Sequence, residues 1–330
     1  MFRPVSRLIC GLFLLFFFGR AGAQQIEYLT PTPLVDRIHV QAEPVRDTGE
    51  IPLYLIAWGG DVATIHTQME GVFQKYGFNF KLKAEDNFSR QVESCLRGET
   101  SYLRGTMDMI TEAAEVFARQ GIKLQVVVQI TWSVGGDVMV VRPNIKSAKY
   151  IRTIALQLDG PHMYYSGYVL KSAGASLRNV KFKFLQELTL PKFDTGGKII
   201  DPVSAFQNDS SLDAVMCISP DADLLTSGGK VGTGSEGSVK GARPYVSTKD
   251  APKIIADVYA VRSDYASANP EKIKAFHMAI LEGQKQWVEL MKTKSTKYQQ
   301  VVSRSADILM GSATATADVE GMTLDCQYVG

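Results

Sequence analysis

The sequence predicts an α/β protein with two lobes, in which the second lobe is inserted into the first. From residue 51 onward, short apolar strands alternate with amphipathic helices, the pattern of parallel sheets covered on both faces. This alternation restarts after Val141, and the first pattern resumes near residue 253. A chain of 330 residues is also longer than one hydrophobic core usually accommodates, which favours two lobes.

The first 23 residues have the order of a secretory signal peptide. Arg3 and Arg7 precede an apolar run over 8–18, and Ala21-Gly22-Ala23 provides a cleavage site of small residues. The apolar run is too short to span a bilayer. We therefore expect export with cleavage after Ala23, with an uncleaved membrane anchor as the alternative.

Charge and cysteine content restrict the function classes. The chain has 36 basic and 34 acidic residues, so it is nearly neutral, which argues against nucleic acid as a partner. No long apolar run follows residue 23, so we expect the exported chain to be soluble. Cys95, Cys217 and Cys326 remain after cleavage, and this odd number leaves at least one free thiol or an intermolecular pair. Their apolar surroundings favour buried cysteines, and we predict no disulfide.

An extended N-terminal arm is expected over residues 24–50, which are rich in proline, glutamine and charge. The first lobe, 51–142 plus 253–330, begins with a buried strand over 51–57. Asp61 then caps a helix whose apolar residues recur at helical spacing until Gly77 stops it. Further strands are expected over 78–82, 107–110, 124–130, 137–141 and 254–261, and helices over 89–96, 111–119 and 270–310.

The second lobe, residues 143–252, repeats the alternation. Ser219-Pro220 opens one of its helices, with serine as the cap and proline in the first turn. Residues 227–251 are mostly Gly, Ser, Lys and Thr and predict a mobile loop or hairpin. Chain crossings near 142–143 and 251–252 would make a hinge between the lobes. The other expected elements are strands over 152–158, 180–185 and 214–218 and helices over 162–173 and 202–207.

The predicted binding site lies where strands end and helices begin. In open α/β sheets, ligands bind outside the carboxyl ends of strands, where helix N-termini favour anions or strong acceptors. Glycines there let the backbone approach a ligand, tryptophans supply flat apolar walls, and Ser133 and His162 supply hydrogen bonds. The predicted ligand-binding residues are Trp58, Gly59, Gly60, Asp61, Trp132, Ser133, Gly160, Pro161, His162 and Asp221.

Each of these assignments has a structural alternative. Asp61 and Asp221 could cap helices, Trp58 could belong to the core, and His162 could be solvated. Asp61 and Asp159 would oppose a small anion unless they face away or pair with a cation. The sequence therefore leaves open an anion, an amine-bearing ligand or a neutral heteroaromatic one.

The sequence contains no convincing motif for catalysis or for cofactor binding. Residues 232–237 match G-x-G-x-x-G but lie between Gly- and Ser-rich segments rather than between a strand and a helix. The four histidines are scattered without metal-ligand spacing, and no G-x-S-x-G occurs. We therefore predict no catalytic residue, no metal and no cofactor, and we expect a binding protein rather than an enzyme. An exported enzyme using Asp61, His162 or Cys217 is the alternative.

Several phrases, in this order along residues 50–292, together resemble a known family. The sequence resembles the substrate-binding proteins of bacterial ABC importers, and within them the nitrate/sulfonate/taurine and thiamine-pyrimidine-precursor branch. A stretch over 99–104 between two Leu-Arg-Gly phrases departs from that pattern. The phrases are GVFQKYGF over 71–78, LRG over 96–98 with Asp108 ten residues on, GIKLQVV over 121–127, SVGGD over 133–137, Phe206 followed by LDAV over 212–215, and NPEKIKAF over 269–276.

The resemblance implies a two-lobed periplasmic-binding-protein (venus-flytrap) fold and a role without catalysis. The protein would be the extracytoplasmic solute-binding component of an ABC importer, capturing a small organic or anionic ligand by hinge closure. It would be a periplasmic monomer that delivers its ligand to an ABC permease in the inner membrane. The alternative is an exported ligand-sensing or scaffold domain of a larger polypeptide without a transport role, and the abrupt ending at Gly330 leads us to expect further chain.

Overall fold

A computed structural model describes residues 24–46 and 49–329. The expected leader and its cleavage site lie outside the described residues. The strands are β1 (Ile51–Leu55), β2 (Phe80–Ala84), β3 (Tyr102–Thr106), β4 (Leu124–Ser133), β5 (Asp137–Val141), β6 (Thr153–Gln157), β7 (Lys181–Leu185), β8 (Ala214–Ile218), β9 (Arg243–Ser247), β10 (Ala256–Arg262) and β11 (Cys326–Tyr328).

Helices cover the sheets and connect most of the strands. Two short 3₁₀ turns lie at Ala148–Tyr150 and Leu177–Asn179. The α-helices are α1 (Leu34–Arg37), α2 (Asp61–Met69), α3 (Val72–Lys75), α4 (Phe88–Leu96), α5 (Met107–Ala118), α6 (His162–Ser172), α7 (Pro202–Asn208), α8 (Ser219–Leu225), α9 (Ser263–Ala268), α10 (Pro270–Thr293), α11 (Thr296–Met310) and α12 (Thr316–Leu324).

The first lobe is built on β1, β2 and a four-stranded sheet. β1 and β2 pair in parallel, and β3 lies beside β1. The four-stranded sheet has the order β11-β4-β10-β3, with β10 antiparallel to both of its neighbours. β3 and β10 are buried throughout, and an aromatic cluster around Phe276 of α10 fills one side of the sheet. The core of the first lobe therefore consists of apolar strands and amphipathic helices, as the sequence predicts.

The second lobe is a five-stranded sheet of order β7-β6-β8-β5-β9. β6 is parallel to β7 and β8, whereas β5 is antiparallel to β8 and β9. Two apolar clusters lie on the two faces of this sheet. The predicted fold class, two α/β lobes with the second inserted into the first, is confirmed.

The sheet change between the lobes comes earlier than the predicted crossing. Val134–Gly136 connect β4 of the first sheet to β5 of the second, whereas the sequence placed the crossing at 142–143. The apolar strand β5 carries no signal for which sheet it joins, because either sheet could bury it. The return crossing runs from β9 to β10 and contains the predicted position at 251–252.

Two local predictions are corrected by the structure. Residues 107–110, where a strand was expected, form the first turn of α5. The strand lies earlier, at Tyr102–Thr106, and overlaps the stretch 99–104 that departs from the family pattern. The Gly-rich segment 227–251 ends in β9, which pairs with β5 at the sheet edge. Both strands contain charged or polar residues that mask the apolar run by which strands are recognised.

The C-terminal residues complete the first sheet. α12 leads into β11, which pairs antiparallel with β4 at Ser133, Trp132 and Thr131. None of the helices within the described ranges combines the length and the apolarity that crossing a bilayer requires. All three cysteines of this part of the chain are free thiols, with Cys95 and Cys217 buried and Cys326 half-buried.

Candidate functional site: the cleft between the lobes

A cavity of about 590 Å³ lies between the two lobes. Residues 84–90 line it from the first lobe, at the end of β2 and the start of α4, and residues 186–200 line it from the second lobe, after β7. Ile308, Leu309 and Gly311 at the end of α11 close one side. The strand ends and a helix N-terminus therefore meet here, at the place that α/β sheets offer to ligands.

Carboxyl groups dominate the charge of this cavity. Its lining contains Glu85, Asp86, Glu187 and Asp194, against the two cations Arg90 and Lys192. Burial raises the pKa of Asp86 to about 7, and the nearby Glu187 carboxylate adds to this increase. A hydrogen bond of 2.7 Å from the Ala57 N–H to Asp86 Oδ1 acts in the opposite direction. Burial also raises the pKa of Glu85. The cavity therefore brings together carboxyl groups whose repulsion a positively charged ligand would relieve.

Gln157 links the lobes at the rim of the cavity. Its Nε2 donates to the Asp86 carbonyl oxygen at 2.7 Å and more weakly to the Gln186 carbonyl oxygen at 3.3 Å. A Cβ atom at Gly160 would lie 2.3 Å from Gln157 Oε1, so a larger residue there would displace this side chain. Gly160 therefore packs beside the side chain that links the lobes, and its predicted approach to a ligand stays a prediction.

Asp61 is held in a buried ionic cluster rather than left free to face the cleft. Its carboxylate accepts from Arg104 Nε and Nη2, and Arg104 Nη2 also donates to Asp257 at 2.9 Å. All three side chains are almost fully buried. Burial raises the pKa of Asp257 to about 6 in spite of the adjacent guanidinium. The cluster ties α2 to β3 and β10, and the Arg104 cation is shared between two carboxyl groups.

The turn Trp58-Gly59-Gly60 packs against the hinge and the C-terminal residues. Trp58 is buried and its Nε1 donates to Thr131 Oγ1 at 3.3 Å. A Cβ at Gly59 would lie 2.2 Å from the Met322 carbonyl oxygen, and one at Gly60 would lie 2.7 Å from Thr131 Oγ1. The atoms that approach these two glycines closely are those of α12 and β4.

Ser133 lies in the hinge and is braced across it. Ser133 Oγ and Thr248 Oγ1 are 2.7 Å apart, and Thr248 Oγ1 also accepts from the Gly135 N–H at 2.8 Å. Thr248 lies in the return crossing, so one hydroxyl joins both chain connections between the lobes. The neighbouring Trp132 is half-buried on β4, between β10 and β11. Thr248 was missed by the sequence analysis, since a threonine in a polar loop has no distinguishing pattern.

His162, at the start of α6, forms a buried pair with Asp137. Its Nε2 is 2.8 Å from Asp137 Oδ1, and both side chains are nearly fully buried. Among the described residues its Nδ1 has no hydrogen-bond partner. Pro161 is buried immediately before the helix. The pair joins the start of α6 to β5, directly after the hinge crossing.

Asp159 brings three parts of the chain together between the lobes. It lies in the second lobe, yet its Oδ2 accepts from Arg37 of the N-terminal arm and from Ser89 Oγ of α4 at 3.2 Å. Burial and the Asp159 carboxylate raise the pKa of Glu112 to about 7. Asp108 adds a smaller increase, whereas the Arg37 cation acts to lower this pKa. Arg37 and Glu112 were not predicted as functional residues, because their proximity depends on the folding of distant segments.

Asp221 stands apart from the other predicted residues. It lies in the first turn of α8 and its Oδ2 accepts from Thr189 Oγ1 at 2.5 Å. Burial, with a smaller contribution from Asp201, raises its pKa to about 7. The structure thus brings Trp58 and Gly60 together around Thr131, holds Asp61 in the Arg104 cluster, and leaves His162, Gly160 and Asp221 in the second lobe. The predicted ligand contacts of these residues stay a prediction.

Within the described part of the chain, no group of three histidine, cysteine or acidic side chains could hold a metal ion. The polar groups of the cleft instead form ion pairs and hydrogen bonds between the lobes. Such an arrangement can bind and enclose a small molecule.

Comparisons with known proteins identify the fold. No family model matches the chain, and no curated protein matches it. Solved structures do: the aliphatic sulfonate-binding protein SsuA of Escherichia coli matches at 15% identity and a TM-score of 0.59, over 86% of each chain. The alkanesulfonate-binding protein SsuA of Xanthomonas axonopodis pv. citri, bound to MOPS, matches at 11% identity and 0.57, over 87% of this chain and 89% of that one.

The periplasmic nitrate-binding protein NrtA of Synechocystis PCC 6803 matches at 14% identity and a TM-score of 0.53, over 80% of this chain and 66% of that one. These likenesses confirm the resemblance that the sequence predicts at the level of the fold. The chain has the two-lobed periplasmic-binding-protein fold.

Proposed function

We propose that this protein is the extracytoplasmic solute-binding component of an ABC importer, which encloses a small organic ligand between its lobes and delivers it to an inner-membrane permease. The cavity of about 590 Å³, lined from both lobes, carries this proposal. Its volume is in the range of small-molecule sites. Periplasmic binding proteins with the same fold support the role, and a binding role without catalysis follows from it.

The two sheets define the lobes that would move. We propose a first lobe of β1–β4 with β10 and β11, and a second lobe of β5–β9, joined by 134–136 and by the return connection from β9 to β10. Ligand binding would shift the population from an open to a closed form by its preference for the closed one. Thr248, bonded to both connections, would act as the pivot.

The charge of the cavity favours an amine-bearing ligand over a simple anion. A sulfonate or nitrate would lie beside Glu85, Asp86 and Glu187, with only Arg90 and Lys192 to balance it. Arg90 is already within 3.7 Å of Glu85. An ammonium or protonated heterocycle would instead relieve the carboxylate repulsion, while Phe193 and Leu309 offer apolar contact.

A thermal-shift screen tests both parts of the proposal. The probes are putrescine, agmatine and 4-aminopyrimidine, with methanesulfonate, taurine and nitrate as the anion-bearing set. A ligand at about 100 times its dissociation constant adds about 2.7 kcal/mol of stability. We expect amine probes to stabilise the protein; stabilisation by anions alone would overturn the charge assignment but keep the binding role. Silence to both sets and to wider solute panels would contradict the role itself.

Matched variants then place the binding event in the cavity. Glu187→Gln removes one cavity carboxylate without changing its shape, and we expect weaker binding of the amine hit. Glu289→Gln removes an exposed carboxylate on α10 outside the cavity and should leave binding unchanged. Equal effects of the two substitutions would show that general surface charge, not this cavity, attracts the ligand.

A further inference from the structure

The N-terminal arm binds to both lobes, although the chain continues from it into the first lobe only. The first residues of the arm form isolated β-bridges with the second lobe. The Glu27 N–H donates to the Ile199 carbonyl oxygen at 2.9 Å, and the Leu29 N–H donates to the Phe184 carbonyl oxygen at 2.8 Å. Tyr28 OH donates to Asp209 at 2.7 Å. The first part of the arm is therefore fixed to the second lobe by backbone and side-chain hydrogen bonds.

The rest of the arm is part of the core of the first lobe. Leu34, Val35 and Ile38 are buried in the apolar cluster of α4, α5 and β3. Further along, the Glu43 N–H donates to the Leu96 carbonyl oxygen at 2.8 Å. Because large apolar side chains and backbone groups are both engaged, this second attachment will not detach without a substantial loss of stability.

We infer that the arm is a strap across the mouth of the cleft, a third connection between the lobes that limits how far they open: it is covalently continuous with the first lobe and hydrogen-bonded to the second. The described residues hold two other connections, both in the hinge. The arm attaches to β7, which lies three strand spacings, about 14 Å, from the hinge strand β5. A connection at that distance from the hinge has a long lever arm, so it restrains opening more than a contact near the hinge does.

The bridging segment is short. Thr30-Pro31-Thr32-Pro33 are exposed, and five residue steps separate the attached Leu29 from the attached Leu34. A fully extended chain covers at most about 18 Å in five steps. The two prolines stiffen the segment further. Opening beyond that span therefore requires one end of the arm to come off its lobe.

Arg37 fastens the strap in the closed form. Its Nε donates to the Thr32 carbonyl oxygen at 3.0 Å within the bridging segment, its Nη1 donates to Ser89 Oγ, and its Nη2 pairs with Asp159 of the second lobe. One guanidinium thus contacts the arm, the first lobe and the second lobe. This contact breaks when the lobes separate, whereas the backbone attachments at the two ends of the strap persist.

The experiment cuts the strap in the folded protein and measures the distance between the lobes without ligand. Thr30–Pro33 are replaced by a four-residue site for a specific protease, and spin labels at Arg178→Cys and Glu271→Cys report the distance between exposed positions on the two lobes. The matched control carries the same site at 233–236, in an exposed loop of the second lobe alone. Circular dichroism after cleavage verifies that the fold persists.

We expect cleavage of the strap, and not of the control loop, to shift the distance distribution to longer values and to increase the radius of gyration. An unchanged distribution after complete cleavage at 30–33, or an equal shift after cleavage at 233–236, would overturn the inference. Because no ligand is used, failure of the proposed transport role would leave this result standing, and failure of the strap would leave ligand binding untouched.

A pair of point substitutions distinguishes loss of the Arg37 contact between the lobes from weaker attachment of the arm to the first lobe. Arg37→Gln removes the contact with Asp159, and we expect a partial shift towards longer distances. Arg119→Gln removes a guanidinium that holds the arm to the first lobe only, through the Val35 carbonyl oxygen and Asp36. Equal shifts in the two variants would show that Arg37 has no special role between the lobes.

Discussion

At the scale of single residues, buried charge is balanced by specific partners. Arg104 meets two carboxylates in a region without solvent, so its removal would leave Asp61 and Asp257 facing each other unpaired. Breaking a buried ion pair by deleting one partner costs more than the pair contributes, because the remaining charge is still desolvated. This cluster is therefore a point of high sensitivity in the first lobe.

We predict that Arg104→Met lowers the free energy of unfolding by about 3–5 kcal/mol, as for other broken buried pairs. Urea denaturation measures this change. Arg304→Met is the matched control: Arg304 pairs with Asp307 on the surface of α11, and such pairs contribute about 1 kcal/mol or less. A loss for Arg104→Met no larger than that of the control would show that the cluster is not an important source of stability.

Asp86 gives a prediction for the pH dependence of stability. Its pKa is about 7 in the folded protein against an ordinary value of 3.8, so the folded state binds more protons between these values. The free energy of unfolding then decreases as pH rises from about 4 to about 7, as far as this group is concerned. Asp86→Asn removes the titration and keeps an oxygen for the Ala57 N–H.

The advantage of Asp86→Asn over the wild type should therefore grow from pH 5 to pH 7 and level off above it. Urea denaturation at pH 5, 6, 7 and 8 measures this difference. Glu50→Gln, at an exposed carboxylate, serves as the control and should give a nearly constant difference. A constant difference for Asp86→Asn as well would show that Asp86 is not protonated in the folded protein at pH 5.

At the scale of elements, the turn before α2 is locked by the C-terminal residues. Trp287 Nε1 donates to Tyr328 OH at 2.9 Å, and Tyr328 OH donates to the Gly59 carbonyl oxygen at 3.0 Å. The close contact between Gly59 and Met322 adds to this chain of contacts. Three elements far apart in sequence, α2, α10 and β11, are thereby fixed together.

We predict that Gly59→Ala lowers the free energy of unfolding by about 1–3 kcal/mol, the cost of overpacking, because its Cβ would lie 2.2 Å from a backbone oxygen. Trp287 fluorescence would change at the same time if α12 and β11 move. Gly321→Ala is the control: it lies within α12 with open space around it and should stabilise by about 0.5–1 kcal/mol. A neutral Gly59→Ala would show that α12 shifts freely.

The sequence predicted most elements because their signals are local. Ala214–Ile218 is an apolar run followed by a helix that begins at Ser219-Pro220, and the strand β8 has those bounds. Tyr102–Thr106 and Arg243–Ser247 contain arginine, glycine or proline and were missed, since burial of Arg104 depends on carboxylates from two other elements. β11 was missed because its partner β4 lies about 200 residues earlier in the chain.

The candidate site was predicted less completely than the fold. The turns at Trp58–Asp61 and Asp159–His162 do lie where strands end and helices begin, as the pattern requires. The partners of those turns, such as Arg104 for Asp61 and Arg37 for Asp159, come from distant segments that no local pattern connects. The cavity lining around Asp86 and Glu187 has the same origin, since each lobe supplies one wall.

At the scale of the whole molecule, contacts on the hinge side, in the middle and at the mouth of the cleft hold the lobes together. The hinge side is apolar: Leu188 and Ile218 of the second lobe join the cluster of α2, α10 and α11. The middle contains the Gln157 contact with Asp86 and the carboxyl pair Glu112 and Asp159. The mouth is crossed by the strap. Because the pKa of Glu112 is raised to about 7 in part by Asp159 across the lobes, we expect pH near neutrality to act on closure through this pair.

The last prediction concerns pH and closure. Glu112 of the first lobe faces Asp159, Arg37 and Asp108, and its pKa of about 7 reflects burial and the Asp159 carboxylate. In an open form, away from Asp159, its pKa would return towards its ordinary value of 4.5. The closed form then binds more protons between these values, so the closed population should decrease as pH rises from about 5 to about 7.

Glu112→Gln replaces the titrating carboxyl by an amide that can donate to Asp159 at every pH, so its lobe distance should not change between pH 5.5 and pH 8. The wild type should show longer distances at pH 8, measured with the same spin labels. Glu115→Gln, an exposed position on α5, should behave as the wild type. If the wild-type distance is the same at both pH values, Glu112 and Asp159 do not control closure, and the strap and the apolar hinge side alone set the equilibrium between open and closed forms.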